Sequence, residues 1–324
     1  MNKGEVNYVS KWKVVSTAVT FGKIDKEPTK RLEDFGCEVM LNPFGRPLTN
    51  AEMLQYAFDA DALIVGNDKV TRNVMDGCKN LKVIAKHGVG VDAIDVKAAN
   101  ERGIVVTNAP GTNSQEVADL AFGFITMLAR DLYQANYDTK NGKWIKRPGI
   151  SLYKKTIGIV GVGSIGTAVA NRATGYDMNV LGYDVSENPT AIGLGVKYVE
   201  FEELLSQSDI ISLHLPLLKE TLNILNASRF RLMKKGAILV NTARSKLVDN
   251  DALYASLVGG GLRGYATDVY DSEPPVHLAY FDLPNVILTP HIGGATVESN
   301  RRMGDVAVDN VIAALKRETP PNVV

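Results

Sequence analysis

Cysteine is scarce in this sequence, with only Cys37 and Cys78 among 324 residues. They lie far apart in apolar or helical settings, so neither a disulfide framework nor a metal site is expected. Charge of one sign is missing too: 36 Lys and Arg balance 36 Asp and Glu. Because a nucleic-acid partner requires a concentrated basic face, none is expected. No apolar run is long enough to span a membrane, and residues 1–10 form a polar stretch without a hydrophobic signal core. The expectation is a cytoplasmic protein with no membrane contact. Glycine is not scarce, at 29 residues, and its placement opens the functional reading.

Residues 155–166 read KTIGIVGVGSIG, a β-branched run that breaks into glycines and starts a helix continuing through Thr167, Ala168, Val169 and Ala170. A strand feeding a glycine turn and a helix N-terminus is a phosphate-binding device. Gly161 permits the tight turn, Gly163 admits a pyrophosphate to the backbone, and Gly166 lets the helix pack closely on the strand. A second apolar strand, residues 178–183, ends in Asp184, at the separation expected for a carboxylate that accepts hydrogen bonds from an adenosine ribose. The blander alternative makes this a plain βα turn, with Asp184 an ordinary turn residue. Asp184 would repel a 2'-phosphate, and Val185, Ser186, Glu187 and Asn188 offer no cation in compensation. The cofactor is therefore expected to be NAD, not NADP.

The length suits two domains, each with its own core. After a strand at 12–16, helices near 29–35, 50–58, 71–78 and 93–101 alternate with apolar runs at 38–41, 62–65, 83–85 and 104–107. This rhythm predicts a parallel sheet flanked by helices, a flavodoxin-like α/β domain. A long helix is expected over 113–130, followed by an irregular arm marked by Trp144, Ile145, Pro148 and Gly149 and suited to cover a neighbouring subunit. A second doubly wound series begins at Thr156, with strands near 210–213, 237–240, 265–268 and 286–288. A final helix over 295–317 is long enough to return to the first domain.

Three polar residues stand just beyond predicted strands of this second half, where doubly wound sheets collect ligands. Arg244 follows ILVNTA, Glu273 lies in the loop after TDV, and His291 follows VILTP. Singly, each has a plain reading as a surface charge, a solvated loop acid or a structural histidine. Together they suit a 2-hydroxy or 2-keto acid. A guanidinium holds the carboxylate and polarises the carbonyl, an imidazole moves the hydroxyl proton, and a carboxylate fixes the imidazole tautomer.

The ordered motifs GVGSIG, Asp184, NTARSKLVD, TDVYDSEP and TPHIGG, with HGVGVD at 87–92 and PGTNSQEVADL at 110–120, resemble the D-isomer-specific 2-hydroxyacid dehydrogenases. The resemblance covers nearly the whole chain. It implies a substrate-orienting role for Arg244, general acid/base chemistry for His291 and a partner role for Glu273. It places the substrate carboxylate on the backbone amides of Val89 and Gly90, and the nicotinamide carboxamide on Asp268. Ser164, Ile165, Thr242, Ala243, Gly293 and Gly294 would line the cofactor, with His214 and Pro216 beside the adenosine. For His214 a structural role is the alternative.

The resemblance also assigns residues 1–108 and 292–324 to a substrate domain and residues 109–291 to a Rossmann NAD-binding domain. The active site is then expected in a cleft that closes before hydride transfer, and a homodimer is expected, built on the helix over 113–130. Lys86, Ser245 and the pair Asp119 and Leu120 depart from the commonest pattern. Lys69 and Lys86 would favour a phosphorylated substrate if they face its distal end, the alternative being two solvated lysines. The sequence PGTNSQEVADL and the NDKVTR stretch look most like short phosphoglycerate dehydrogenases, so 3-phosphoglycerate is the first expectation and hydroxypyruvate or glyoxylate the second. Formate is disfavoured by Glu273, where that branch carries Gln. No C-terminal regulatory domain is expected. A non-enzymatic NAD-sensing protein of corepressor type is the rival from another class.

Overall fold

The structure, a computed structural model, describes residues 12–324. The reading of residues 1–10 as a polar stretch lies outside the described residues. Two compact units are present: one extends through Asn113 and resumes at Gly294–Val324, and the other is Ser114–Gly293.

In the first unit, β1 (Trp12–Ser16), β2 (Cys37–Leu41), β3 (Ala62–Val65), β4 (Val83–Lys86) and β5 (Val105–Thr107) form a parallel sheet in the order β2-β1-β3-β4-β5. This is the flavodoxin-like winding. Strands such as ALIV in β3 are buried along their whole length because helices cover both faces. Alternate residues serve opposite cores. Val15, Leu63, Val65 and Ile84 face one cluster, while Val14, Ala62, Ile64, Val83 and Ala85 face another, completed by Ala307, Val308, Val311 and Leu315. Those last four belong to the helix Val297–Leu315, capped by Thr296. Ion pairs tie that helix to the start of the unit: Arg301 to Asp25 at 2.8 Å and Arg31 to Asp305 at 3.0 Å. Cys37 and Cys78 are free and buried, each thiol pushed up to about 11 by burial.

In the second unit, β6 (Thr156–Val160), β7 (Asn179–Tyr183), β8 (Lys197–Tyr198), β9 (Ile210–Leu213), β10 (Ala237–Asn241), β11 (Leu262–Thr267) and β12 (Val286–Leu288) make a second parallel sheet, ordered β12-β11-β10-β9-β6-β7-β8. The chain winds outward from β6 through β7 to β8, then returns to β9 on the other side of β6. That reversal is the topological switch point at which doubly wound sheets bind ligands. The helices Ser114–Arg130 and Ser164–Thr174 cover one face, burying Ala121, Ile125, Val169 and Ala173 against Ile157, Ile159, Ile238 and Val240.

Of the elements that differ from the sequence reading, two are instructive. The helix expected over 93–101 starts at Val96, because Ile94 pairs with Val70 and the Asp95 side chain caps the helix at the Ala98 amide. A helix at Leu132–Lys140 was not anticipated. Its one buried side chain is Asp138, paired with Arg147 at 2.7 Å, so it has no apolar stripe to read. Among the described residues no helix is long and apolar enough to cross a membrane.

Candidate active site

The glycine turn leaves β6 with Gly161 at φ +95°, where an added Cβ would stand 2.7 Å from the His214 carbonyl carbon. Only glycine fits there. A Cβ on Gly166 would meet the Gly161 oxygen at 2.1 Å, so this glycine is what brings the helix Ser164–Thr174 against the strand. Around Gly163 the corresponding space is open, and this residue N-caps the helix without a side-chain cap. The first amides of the helix, at Ser164 and Ile165, are thus turned toward an anion-sized space.

Asp184 follows β7 and is bound to this turn. Its Oδ2 accepts from the Val162 amide and its Oδ1 from the Val185 amide, both at 2.7 Å. A carboxylate has lone pairs beyond these two for a ribose hydroxyl. Asn188 adds a second tie, donating to Val162 O at 3.2 Å and to Thr167 Oγ1 at 3.1 Å. Just past β10 and β9, the buried Thr242 Oγ1 and His214 Nδ1 lack a protein partner. His214 Nε2 lies 2.8 Å from Ser212 Oγ, and burial pushes the imidazole down to about 3, which keeps it neutral. Pro216 is exposed two residues further on. The open turn, the uncapped helix and the orphaned polar atoms fit a dinucleotide.

The other functional candidates extend from β10, β11 and β12, neighbours whose registers align Asn241 with Thr267 and Thr267 with Leu288. Past β12, His291 adopts the left-handed φ of +53°, uncommon outside glycine. The surroundings over-determine that conformation. The His291 amide donates to Thr289 O at 3.0 Å, and Tyr270 Oη donates to the same carbonyl at 2.8 Å. Asp268, just past β11, accepts from Thr289 Oγ1 at 2.6 Å, the Ile292 amide at 2.8 Å and the Gly293 amide at 2.7 Å. Its carboxylate thus braces the loop on both sides of His291. Burial raises the Asp268 pKa against these hydrogen bonds, and it pushes the Tyr270 phenol up to about 12. A Cβ on Gly293 would come 3.0 Å from Asp268 Oδ2, which explains glycine there.

His291 Nδ1 is 2.6 Å from Glu273 Oε1. The histidine side chain is 38% exposed and the glutamate 24%, so the pair is reachable by a small molecule. Arg244, half-buried beyond β10, follows the buried Thr242 and Ala243. Its carbonyl accepts from Asn241 Nδ2 at 2.8 Å, and its Nη1 donates to Ala243 O at 2.7 Å. The next residue, Ser245, hydrogen-bonds Asp271 in the loop that carries Glu273. Tyr270, Thr289, Asn188 and Asp271 were missed by sequence reasoning. Only Thr289 and Asp271 carried a signal, as polar neighbours of residues already singled out.

In the first unit, Val89 is exposed and Gly90 half-buried in the loop that follows β4. Lys86, at the end of β4, is only 7% exposed, which corrects the reading of two solvated lysines. Its Nζ turns onto Gly66 O at 2.5 Å and Asn67 Oδ1 at 3.2 Å. Lys69 stays exposed. Gly294 lies against Asn113, whose Nδ2 would be 3.1 Å from an added Cβ.

Residues 122–293 match the family model described as D-isomer specific 2-hydroxyacid dehydrogenase, NAD binding domain. The chain is 43% identical over 282 residues to a D-3-phosphoglycerate dehydrogenase of Methanocaldococcus jannaschii, covering 86% of this chain and 54% of the relative. It therefore spans about half the length of that protein. It is 39% identical over 314 residues to a glyoxylate reductase of Thermococcus litoralis, covering 93% and 94% of the two chains. Among solved structures, the TT0316 protein from Thermus thermophilus superposes with a TM-score of 0.87 at 40% identity, covering 96% of this chain and 99% of that one.

Proposed function

Because the chain belongs to the D-isomer specific 2-hydroxyacid dehydrogenase family, we propose that it is an NAD-dependent oxidoreductase acting at C2 of a small D-2-hydroxy acid or its 2-keto acid. When bound, NAD donates or accepts the hydride. The remaining work falls to side chains and amides of this protein. Gly161, Gly163 and Gly166 shape the pyrophosphate cradle at Ser164 and Ile165, while Asp184 takes the ribose and repels a 2'-phosphate. Thr242, Ala243, His214, Pro216, Asp268, Gly293 and Gly294 complete the cofactor contacts.

Arg244 lays its planar guanidinium along the substrate carboxylate and polarises the carbonyl. With Nδ1 of His291 committed to Glu273, the proton exchanged with the C2 oxygen is carried at Nε2. Glu273 fixes that tautomer and steadies the imidazolium formed during oxidation. In the first unit, read as the substrate domain over 1–108 and 292–324, the amides of Val89 and Gly90 receive the carboxylate. Of the two lysines singled out, Lys86 spends its ammonium on Gly66 O and Asn67 Oδ1, which leaves the exposed Lys69 to meet the distal end and ranks 3-phosphoglycerate first. Glyoxylate or hydroxypyruvate is second, favoured by the relative that matches over nearly both chain lengths. The protein acts as a homodimer whose contact uses the exposed Leu132, Tyr133, Tyr137, Trp144 and Ile145.

The observation that carries the reading is the 2.6 Å His291 to Glu273 pair, set in the same sheet as the dinucleotide turn. NADH oxidation with phosphohydroxypyruvate, hydroxypyruvate, glyoxylate and pyruvate tests it. Turnover is expected, with the highest kcat/KM for phosphohydroxypyruvate. Flat traces with all four, alongside tight NADH binding, would overturn the enzymatic reading. A preference for glyoxylate would overturn the substrate ranking alone.

A further inference from the structure

The loop of Val89 and Gly90 is held by its carbonyls. The Ala109 amide donates to Gly88 O at 2.8 Å, and Asn108 Nδ2 donates to Val89 O at 2.8 Å. In a planar trans peptide the C=O and the following N–H point to opposite edges. Pinning these two carbonyls against residues 108 and 109 therefore turns the amides of Val89 and Gly90 the other way. Neither amide donates to another described residue. Successive backbone amides left outward in this manner form a receptor for an anion.

The two pins are of different kinds. The one at Gly88 joins backbone to backbone and survives any substitution that keeps an N–H. The one at Val89 is a side chain, and an amide facing a carbonyl must present its NH2. Asn108 is itself carried on a fixed backbone. Its amide donates to Asn322 O at 3.1 Å, and its carbonyl accepts from Nδ2 of the fully buried Asn310 at 3.1 Å. Asn310 Oδ1 in turn accepts from the Asn322 amide at 3.2 Å.

We propose that Asn108 is a positioning residue for substrate binding, aiming the Gly90 amide at the substrate carboxylate by holding the Val89 carbonyl. The inference rests on the reading of Val89 and Gly90 as the carboxylate loop. It assigns to Asn108 an effect on the acid substrate and none on the cofactor.

The test compares Asn108→Asp and Asn108→Ala with the wild type. Both variants keep the backbone bonds to Asn322 and Asn310. The aspartate sets an oxygen against the Val89 carbonyl, while alanine removes the group. The KM for the preferred 2-keto acid should rise roughly tenfold, the scale of one well-aimed hydrogen bond, with kcat and the NADH Kd nearly unchanged. An unchanged KM in both variants overturns the proposal, as does a loss of kcat that merely tracks a loss of Tm. Should the wild type turn over none of the acids, the reading of the loop fails instead, and hydrogen exchange at the Ala109 amide, which donates to Gly88 O, still decides the pinning. Faster exchange in Asn108→Asp supports it, and equal exchange refutes it.

Discussion

At the scale of single residues, the candidate site is built by holding a histidine in a backbone conformation that residues other than glycine seldom adopt. The φ of +53° at His291 is stabilised from outside, by Asp268 and Tyr270, rather than by the histidine's own preferences. Replacing His291 with alanine leaves that brace in place and removes only the proposed proton carrier. Turnover should fall by roughly two to four orders of magnitude while NADH titration is preserved, and near-normal turnover would exclude the assigned role. A second histidine makes a prediction about stability. Burial, opposed by the contact with Asn300 O, drives His87 from 6.5 down to about 4. The folded protein keeps this ring neutral where the unfolded chain takes up a proton, so unfolding binds protons between those two values. The contribution of His87 is complete above pH 6.5 and is lost as the pH falls toward about 4. The Tm of the wild type should fall through that window more steeply than that of His87→Gln. Parallel curves would show that His87 is not the titrating group.

At the scale of elements, much of the architecture was legible because parallel strands covered on both faces are apolar without interruption. Residues 62–65, 210–213 and 286–288 fold as strands with the bounds read from the letters. The helix Leu132–Lys140 was not legible, since it turns no apolar stripe inward and its one buried side chain is a paired aspartate. The same holds for β8, two residues at a sheet edge. Within the candidate site, the glycine turn and the positions of Arg244 and His291 announce themselves as breaks after apolar runs. The hydrogen bonds of Tyr270 to Thr289 and of Ser245 to Asp271 span 19 and 26 residues. Contacts at such separations are set by strand order, which no local pattern records. Lys86 shows the converse: a charged residue at the end of an apolar strand reads as solvated, and a neighbouring turn of carbonyl and amide oxygens takes up its ammonium instead.

At the scale of the whole molecule, the proposed dimer contact rests on the apolar side chains left exposed along the helix Leu132–Lys140 and the arm after it, among them Trp144 at 85% exposure. Sedimentation should return twice the chain mass, and the double substitution Trp144→Ser, Ile145→Ser should shift the protein toward the monomer. A wild type that sediments as a monomer at micromolar concentration would refute the proposed dimer. The division of the chain has a consequence in time. Ribosomes deliver Ser114–Gly293 whole, and nothing made later belongs to that unit. The unit begun first, by contrast, lacks Ala307, Val308, Val311 and Leu315 until the whole of Ser114–Gly293 has been made. Through all of that synthesis Val14, Ile64 and Val83 lack the helix that covers them, so a newborn copy carries in its early strands the kind of uncovered apolar surface that invites association.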